Sequence, residues 1–294
     1  MARVLVTGGT GFLGAHVVAD LRTAGHQAIP AGRRLAEAVH SVDLRDEASV
    51  AQLVDDVRPD TIIHCAAYGV AQGDNDFDTS VKVNVGGSLS LLEAAISCGV
   101  ERFVQVGSCF EYGSKGHDIA EDEALMPTAA YGATKAAATL LTRQRAASSD
   151  TRLVVARPFG LWGPGEPHGR LVPQIIAACR ANRPLDLTPC DVVRDYSYVA
   201  DMARSLVRLA FADYRPGEIV NLGSGVAVVL RDFVLEVSTL LGGAHLMRFG
   251  AIGHRPTEMK RLVANVSRQR ALVGDPPSTP IDVGLRAMQQ ELLS

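Results

Sequence analysis

Tyr131 and Lys135 stand four residues apart at the head of an alanine-rich run that continues through Ala136, Ala137, Ala138, Leu140 and Leu141. In a helix, that spacing brings both side chains to one face, about one turn apart. An ammonium beside a phenol stabilises the phenolate and pulls a pKa of about 10 toward neutrality. A tyrosine so placed can exchange a proton with a hydroxyl or carbonyl oxygen. Ser108 closes the apolar segment 103–107, and its hydroxyl is expected to meet the same oxygen. A Tyr-x-x-x-Lys pair also arises as an ordinary amphipathic pair, so its meaning rests on what accompanies it.

Near the N-terminus, Gly8, Gly11 and Gly14 are spaced by threes, and Gly9, Gly11 and Gly14 also satisfy G-x-G-x-x-G. Before them runs the apolar segment 3–6; after them come Phe12, Leu13, Val17, Val18 and Leu21 at helical spacing. The order is strand, tight turn, helix N-terminus. Glycines there permit positive φ and let backbone approach a pyrophosphate, whose charge the free helical N–H groups stabilise. In this context the turn, with Thr10, Phe12 and Leu13 inside it, is a dinucleotide-binding motif.

A second strand is expected over 26–31. In NAD-binding units of this kind an acid at its end accepts from the ribose hydroxyls. Gly32, Arg33 and Arg34 stand there instead. Without the carboxylate a 2′-phosphate is not repelled, and an arginine fork can bind it. NADP is therefore the expected cofactor, with NAD the alternative. Asp43 and Leu44, in a third strand over 41–45, stand where a strand end meets the adenine, although Asp43 is also placed to cap the following helix at 46–57. The strand at 61–67 ends in Cys65, Ala66 and Ala67, small enough for a cofactor to pass closely. Asn84 lies near the start of a long helix expected over 78–98.

The remaining elements must carry these groups. Strands at 103–108 and 152–158 and a helix at 129–148 continue the alternation, which predicts an α/β fold with a doubly wound parallel sheet and ligands at the carboxyl ends of its strands. Beyond Phe159 the pattern changes. Residues 160–167 are rich in Gly and Pro and are expected to be loop; helices follow at 170–181 and 199–212, and a buried strand at 218–222. A smaller, mostly C-terminal substrate lobe is expected, dividing the chain into a dinucleotide-binding domain (1–165 with 192–224) and a substrate-binding lobe (166–191 with 225–294).

Composition narrows the function. The chain has 294 residues, 47% apolar and 21% charged, with a net charge of −3. There is no basic field to attract nucleic acid or an anionic membrane. It begins directly with a strand, carries no leader pattern and has no apolar run long enough to span a bilayer, so a cytoplasmic location is expected. Its five cysteines form no C-x-x-C pair and its eight histidines no ligand spacing, which argues against a zinc site and a disulfide scaffold.

Thr7-Gly-Gly-Thr-Gly-Phe-Leu-Gly14, Asp43-Leu44, Cys65-Ala-Ala67, Asn84-Val85, Ser108 with Tyr112-Gly113, Tyr131 with Lys135, Arg157-Pro158 and Arg194-Asp-Tyr-Ser-Tyr-Val199 together resemble the extended short-chain dehydrogenase/reductases, Rossmann-fold enzymes that act on nucleotide sugars. The resemblance spans nearly the whole chain. It implies that Ser108, Tyr131 and Lys135 are catalytic and that Arg194 holds a sugar nucleotide's diphosphate, with Arg255 a second contact and Cys109 beside the substrate. Pro158 joins the cofactor set by the same resemblance. The competing role for Arg194 is an ion pair with Asp195 or Asp201; Tyr196 and Tyr198 are expected to pack.

Within that family the chain departs from two branches. The 4,6-dehydratases carry Asp-Glu directly after the Ser/Thr, whereas Cys109 and Phe110 occupy those positions here. The 3,5-epimerase/reductases use a Cys two residues after the Ser and a His in the second lobe; here Cys109 follows directly, and Arg170 stands where the His is expected. Cys109 is then a packed thiol rather than an acid or base. The expectation is an NADPH-dependent 4-ketoreductase of a nucleotide-linked 4-keto-6-deoxy sugar. The alternatives are an NAD-dependent nucleotide-sugar 4-epimerase and a reductase of a non-nucleotide carbonyl. A homodimer built on the helices 78–98 and 129–148 is what the resemblance implies.

Overall fold

The computed structural model describes residues 1–33, 39–69, 73–74, 76–254 and 258–291. The first half alternates strand and helix: β1 (Arg3–Thr7), α1 (Phe12–Thr23), β2 (Gln27–Gly32), β3 (His40–Ser41), α2 (Glu47–Val57), β4 (Thr61–His64), α3 (Phe77–Ser80), α4 (Gly87–Ser97), β5 (Arg102–Val106), α5 (Ala130–Ala146) and β6 (Arg152–Pro158). The second half holds β7 (Gly160–Trp162), α6 (Leu171–Ala181), β8 (Leu185–Leu187), β9 (Val193–Arg194), β10 (Tyr196–Tyr198), α7 (Val199–Phe211), β11 (Glu218–Leu222), β12 (Val228–Val229), α8 (Leu230–Leu240), β13 (Met247–Phe249), β14 (Arg261–Leu262), α9 (Ser267–Val273) and α10 (Ile281–Glu291).

Seven strands form one parallel sheet in the order β11-β6-β5-β4-β1-β2-β3. This is the doubly wound arrangement, and its strand order reverses between β1 and β4, where such sheets open a crevice at their carboxyl ends. β1 shows why its sequence has no polar alternation. Val4 and Val6 enter an apolar cluster with Val17 and Leu21 of α1 and Leu206 of α7, while Leu5 enters the opposite cluster with Val50 and Leu53 of α2, Leu91 of α4 and Phe103 of β5. Both faces of the sheet are covered, as parallel sheets require.

Three expectations are corrected. The third strand is not 41–45 but the two residues His40–Ser41, after which Val42 donates to the Gly32 carbonyl and the chain turns at Asp43. The helix at 78–98 is interrupted by a π-helical turn, Val81–Gly86, between α3 and α4; such turns insert a residue and often mark functional positions. Finally, 160–167 is not all loop, because β7 pairs in parallel with β10. A separate apolar cluster gathers Trp162, Ile175 and Ile176 of α6, Phe233 of α8 and Leu285 of α10, with Tyr196 stacked on Phe233 at 4.7 Å and Tyr198 edge-on to Trp162 at 5.3 Å. Among the described residues no helix is long and apolar enough to cross a membrane.

Candidate active site

The glycine turn runs from the end of β1 into α1. Gly8 holds φ at 69°, and a Cβ there would sit 2.7 Å from the backbone nitrogen of Ala66. The turn and the end of β4 are thus pressed together, and Cys65, Ala66 and Ala67 lie half-buried beside it. The α1 N-cap is Gly11, which offers no side-chain bond to the first-turn N–H groups. A cradle of small residues under free helical donors fits the pyrophosphate of a dinucleotide. Pro158 closes β6 at the same carboxyl edge of the sheet.

β2 ends in Gly32, whose missing Cβ would stand 3.0 Å from the Thr10 hydroxyl; Arg33 beyond it is exposed. Asp43 is clamped by Arg45, with bonds of 2.6–3.1 Å, and this pairing holds its carboxyl down to about 2. Arg33 adds a weaker attraction. Leu44 is buried against Gly87, so its side chain serves the core. Arg34 and Arg255 lie outside the described residues.

Asn84 is buried within the π-helical turn and its side chain is fully engaged: it accepts from Tyr68 N–H at 2.8 Å and donates to the Tyr68 carbonyl at 2.9 Å and the Thr134 hydroxyl at 3.0 Å. It fastens the loop after β4 to α5, immediately beside Lys135. Asn84 therefore braces the cofactor-side loop from behind.

Ser108, Tyr131 and Lys135 converge from β5 and α5. Ser108 caps a short 3₁₀ turn, Cys109–Glu111, and its hydroxyl accepts from Phe110 N–H at 3.2 Å. Tyr131 meets Phe110 edge-on at 6.1 Å. Burial pushes the Tyr131 phenol above its ordinary range, opposed mainly by hydrogen bonding from Ser108. Burial brings Lys135, which is 2% exposed, down to about 8, with the carboxylate of Glu111 opposing the shift. Desolvation disfavours the charged form of both groups, a direction opposite to that expected from their spacing alone.

Arg194, on β9, is half-buried and donates to the Val193 carbonyl at 2.9 Å. Its charge acts on Cys109 and Tyr196, which brings it to the Ser108 side of the sheet's edge. Neither expected carboxylate claims it. Asp195 turns away to accept from Ser224 N–H and Oγ–H, Gly225 N–H and Ala264 N–H at 2.6–3.3 Å. Asp201 accepts from Thr279 N–H at 2.6 Å and pairs with Arg204 at 3.4 Å. Cys109 is 4% exposed in a cluster with Tyr112, Phe159 and Leu262, and burial pushes its thiol up to about 12; its side chain is packed rather than offered to substrate.

Two carboxylates here escaped the sequence analysis. Glu111, beside Ser108, is fully buried against Arg157. Glu166 accepts from Arg170 Nε at 3.1 Å, and burial pushes it up to about 7. The charge of Arg170 reaches both Tyr131 and Tyr196, so it faces the same space. An acid four residues before an arginine reads as a surface pair in a sequence, and nothing local distinguishes a buried one.

Comparison with known proteins identifies the family. The model of the NAD dependent epimerase/dehydratase family matches residues 4–223. A UDP-glucose 4-epimerase of Azospirillum brasilense is 30% identical over 92% of this chain and 86% of its own. A GDP-6-deoxy-D-mannose reductase of Pseudomonas aeruginosa is 28% identical over 97% and 95%. The crystal structure of a Thermus thermophilus UDP-glucose 4-epimerase in complex with NAD superposes with a TM-score of 0.88 at 27% identity, covering 99% of both chains. The chain belongs to the NAD dependent epimerase/dehydratase family and is an enzyme of the extended short-chain dehydrogenase/reductase type.

Proposed function

We propose that the protein reduces the keto group of a nucleotide-linked 4-keto-6-deoxy sugar with NADPH. The observation that carries this reading is the end of β2: Gly32 fits closely over Thr10 where an acid would bind an unphosphorylated ribose, and Arg33 projects beside it. A cofactor chosen for its 2′-phosphate suits an enzyme that takes up a fresh reductant each turnover. The similarity to a GDP-6-deoxy-D-mannose reductase of Pseudomonas aeruginosa supports the reading of net reduction.

Bound NADPH would supply the hydride. Tyr131, protonated by virtue of its burial, donates the proton that the carbonyl oxygen takes up. Ser108 orients that oxygen through its hydroxyl. Lys135, held beside Glu111 and Cys65, would hold the ribose of a bound cofactor and stabilise the phenolate left behind. Arg194 meets the diphosphate. Residues 1–165 with 192–224 act as the dinucleotide-binding domain and 166–191 with 225–294 as the substrate lobe; the apolar cluster of Ile175, Ile176, Phe233 and Leu285 supports a core for that lobe, into which Trp162 and Tyr196 of the first domain pack. Leu140 and Leu141 on α5 and Phe77 on α3 are exposed apolar residues suited to a homodimer contact, and we place the protein in the cytoplasm.

A second reading, an NAD-dependent 4-epimerase, is favoured by the UDP-glucose 4-epimerases among the similar proteins. Purification followed by absorbance and calorimetric titration separates the two. A protein that purifies without nucleotide and binds NADPH at least about tenfold more tightly than NADH, a difference of about 1.4 kcal/mol, supports the reductase. Co-purified NAD⁺ or equal affinities overturn it and leave the epimerase.

A further inference from the structure

Glu111 occupies the last position of the turn that Ser108 caps. Its Oε1 accepts from the Ser108 backbone N–H at 2.9 Å, and its Oε2 accepts from Arg157 Nε at 2.9 Å and Nη2 at 2.7 Å. Arg157 is itself 1% exposed, with its guanidinium 4.5 Å from the centroid of the Tyr112 ring. Its Nη1 has no hydrogen-bond partner among the described residues. Burying an ion pair is costly, and apolar residues of similar volume often serve stability as well. A pair retained here, directly behind Ser108, needs another reason.

Gly107 points to that reason. A Cβ on it would lie 2.5 Å from Glu111 Oε1 and 3.2 Å from Arg157 Cγ. The end of β5 has given up a side chain so that the carboxylate can reach the Ser108 amide. The hydroxyl of Ser108 in turn accepts from Phe110 N–H, which leaves its own proton to be donated outward, toward Tyr131 and the reacting oxygen.

We propose that Glu111, anchored by Arg157, is the positioning residue for Ser108: it pins the serine backbone at the strand end so that the hydroxyl proton is aimed at the substrate oxygen. Its charge has a second effect, since it raises the proton affinity of both Tyr131 and Lys135. The turnover assay for this idea rests on the function proposed above, whereas its amide-exchange measurement does not.

The test is a double-mutant cycle between Ser108→Ala and the charge-free pair Glu111→Met with Arg157→Met, which leaves no buried charge unpaired. With saturating NADPH and a nucleotide-linked keto sugar, removing the pair is expected to lower kcat at least about tenfold in the otherwise native enzyme, but less than about twofold once Ser108 is alanine. Affinity for NADPH stays within about twofold, and the Ser108 amide exchanges with solvent at least about tenfold faster. Glu111→Gln, which restores an acceptor for that amide, is expected to recover its protection; Arg157→Lys, which gives up the two-point anchor of the carboxylate, replaces the double variant in the cycle if the latter does not fold. Equal loss of kcat in both backgrounds means that the pair is merely structural and overturns the proposal, as does unchanged exchange at Ser108. If the wild-type enzyme turns over no nucleotide sugar, the proposed function falls, and the amide exchange alone decides the role of Glu111.

Discussion

Gly14 lies directly over the carbonyl of Gly8, so close that a Cβ on Gly14 would fall well inside van der Waals contact with that oxygen. Gly8 cannot retreat, because its other side abuts the backbone of Ala66. Helix α1, the turn and the end of β4 are therefore locked into one spacing, which the approach of a pyrophosphate depends on. Gly14→Ala is expected to cost about 1–3 kcal/mol through overpacking and to weaken cofactor binding at least about tenfold, about 1.4 kcal/mol. Urea unfolding and a cofactor fluorescence titration check both, and native affinity in the variant would contradict the role given to the turn.

Tyr131→Phe removes the proton donor while keeping the ring that packs on Phe110. The turnover rate is expected to fall by about 10²–10⁴, with cofactor affinity unchanged. A variant with more than a tenth of native activity would show that the proton comes from elsewhere.

Arg194→Ala separates the two ligands. The lost charge-assisted contact is expected to raise KM for a nucleotide sugar by roughly 1.5–3 kcal/mol, about 10- to 150-fold. NADPH affinity should not move, because Asp195 keeps its bonds to Ser224, Gly225 and Ala264 and so preserves the strand. An unchanged KM would remove Arg194 from the substrate site.

Glu166 makes stability depend on pH. Its folded pKa of about 7 exceeds the ordinary 4.5 because burial outweighs the attraction of Arg170. Between those values the unfolded chain has released the proton that the folded chain retains, so stability is lost as pH rises through the window. Glu166→Gln abolishes this loss: relative to wild type it should gain up to about 3 kcal/mol between pH 4.5 and pH 7. Denaturation at the two pH values measures it, and parallel profiles would refute the burial argument.

Lys135 acts in the opposite sense. Its pKa falls from 10.5 to about 8 on folding, so between those values the unfolded chain binds more protons and stability rises with pH. Wild type should gain up to about 3 kcal/mol on Lys135→Met across that interval. A constant difference between the two proteins would mean that the ammonium is solvated.

Much of this protein was settled by local chemistry and could be read directly. An apolar segment without alternation, glycines at Gly8, Gly11 and Gly14 and a helical pattern behind them have few physical uses in combination, and β1, the turn and α1 stand as expected. The Tyr131–Lys135 spacing likewise follows from helical geometry alone. Errors fell where neighbours decide. The third strand shrank to His40–Ser41 because it sits at the sheet's edge, where β2 is its only partner strand among the described residues. β7 exists because β10, more than thirty residues away, supplies its hydrogen bonds. The proton affinities of Tyr131 and Lys135 were set by burial, which no spacing reveals.

The carboxylates make the same division most sharply. Glu111 finds Arg157 across 46 residues because β5 and β6 are adjacent in the sheet, and Asp195 turns from its neighbour Arg194 because the loop after β11 presents backbone donors to it. Sequence determined which chemical groups the protein possesses and the helices and strands that bear them, since those depend on residues within a turn or two. Tertiary structure alone decided which charges pair, which are desolvated and which face the reacting oxygen, because those depend on segments that meet only when the sheet is assembled.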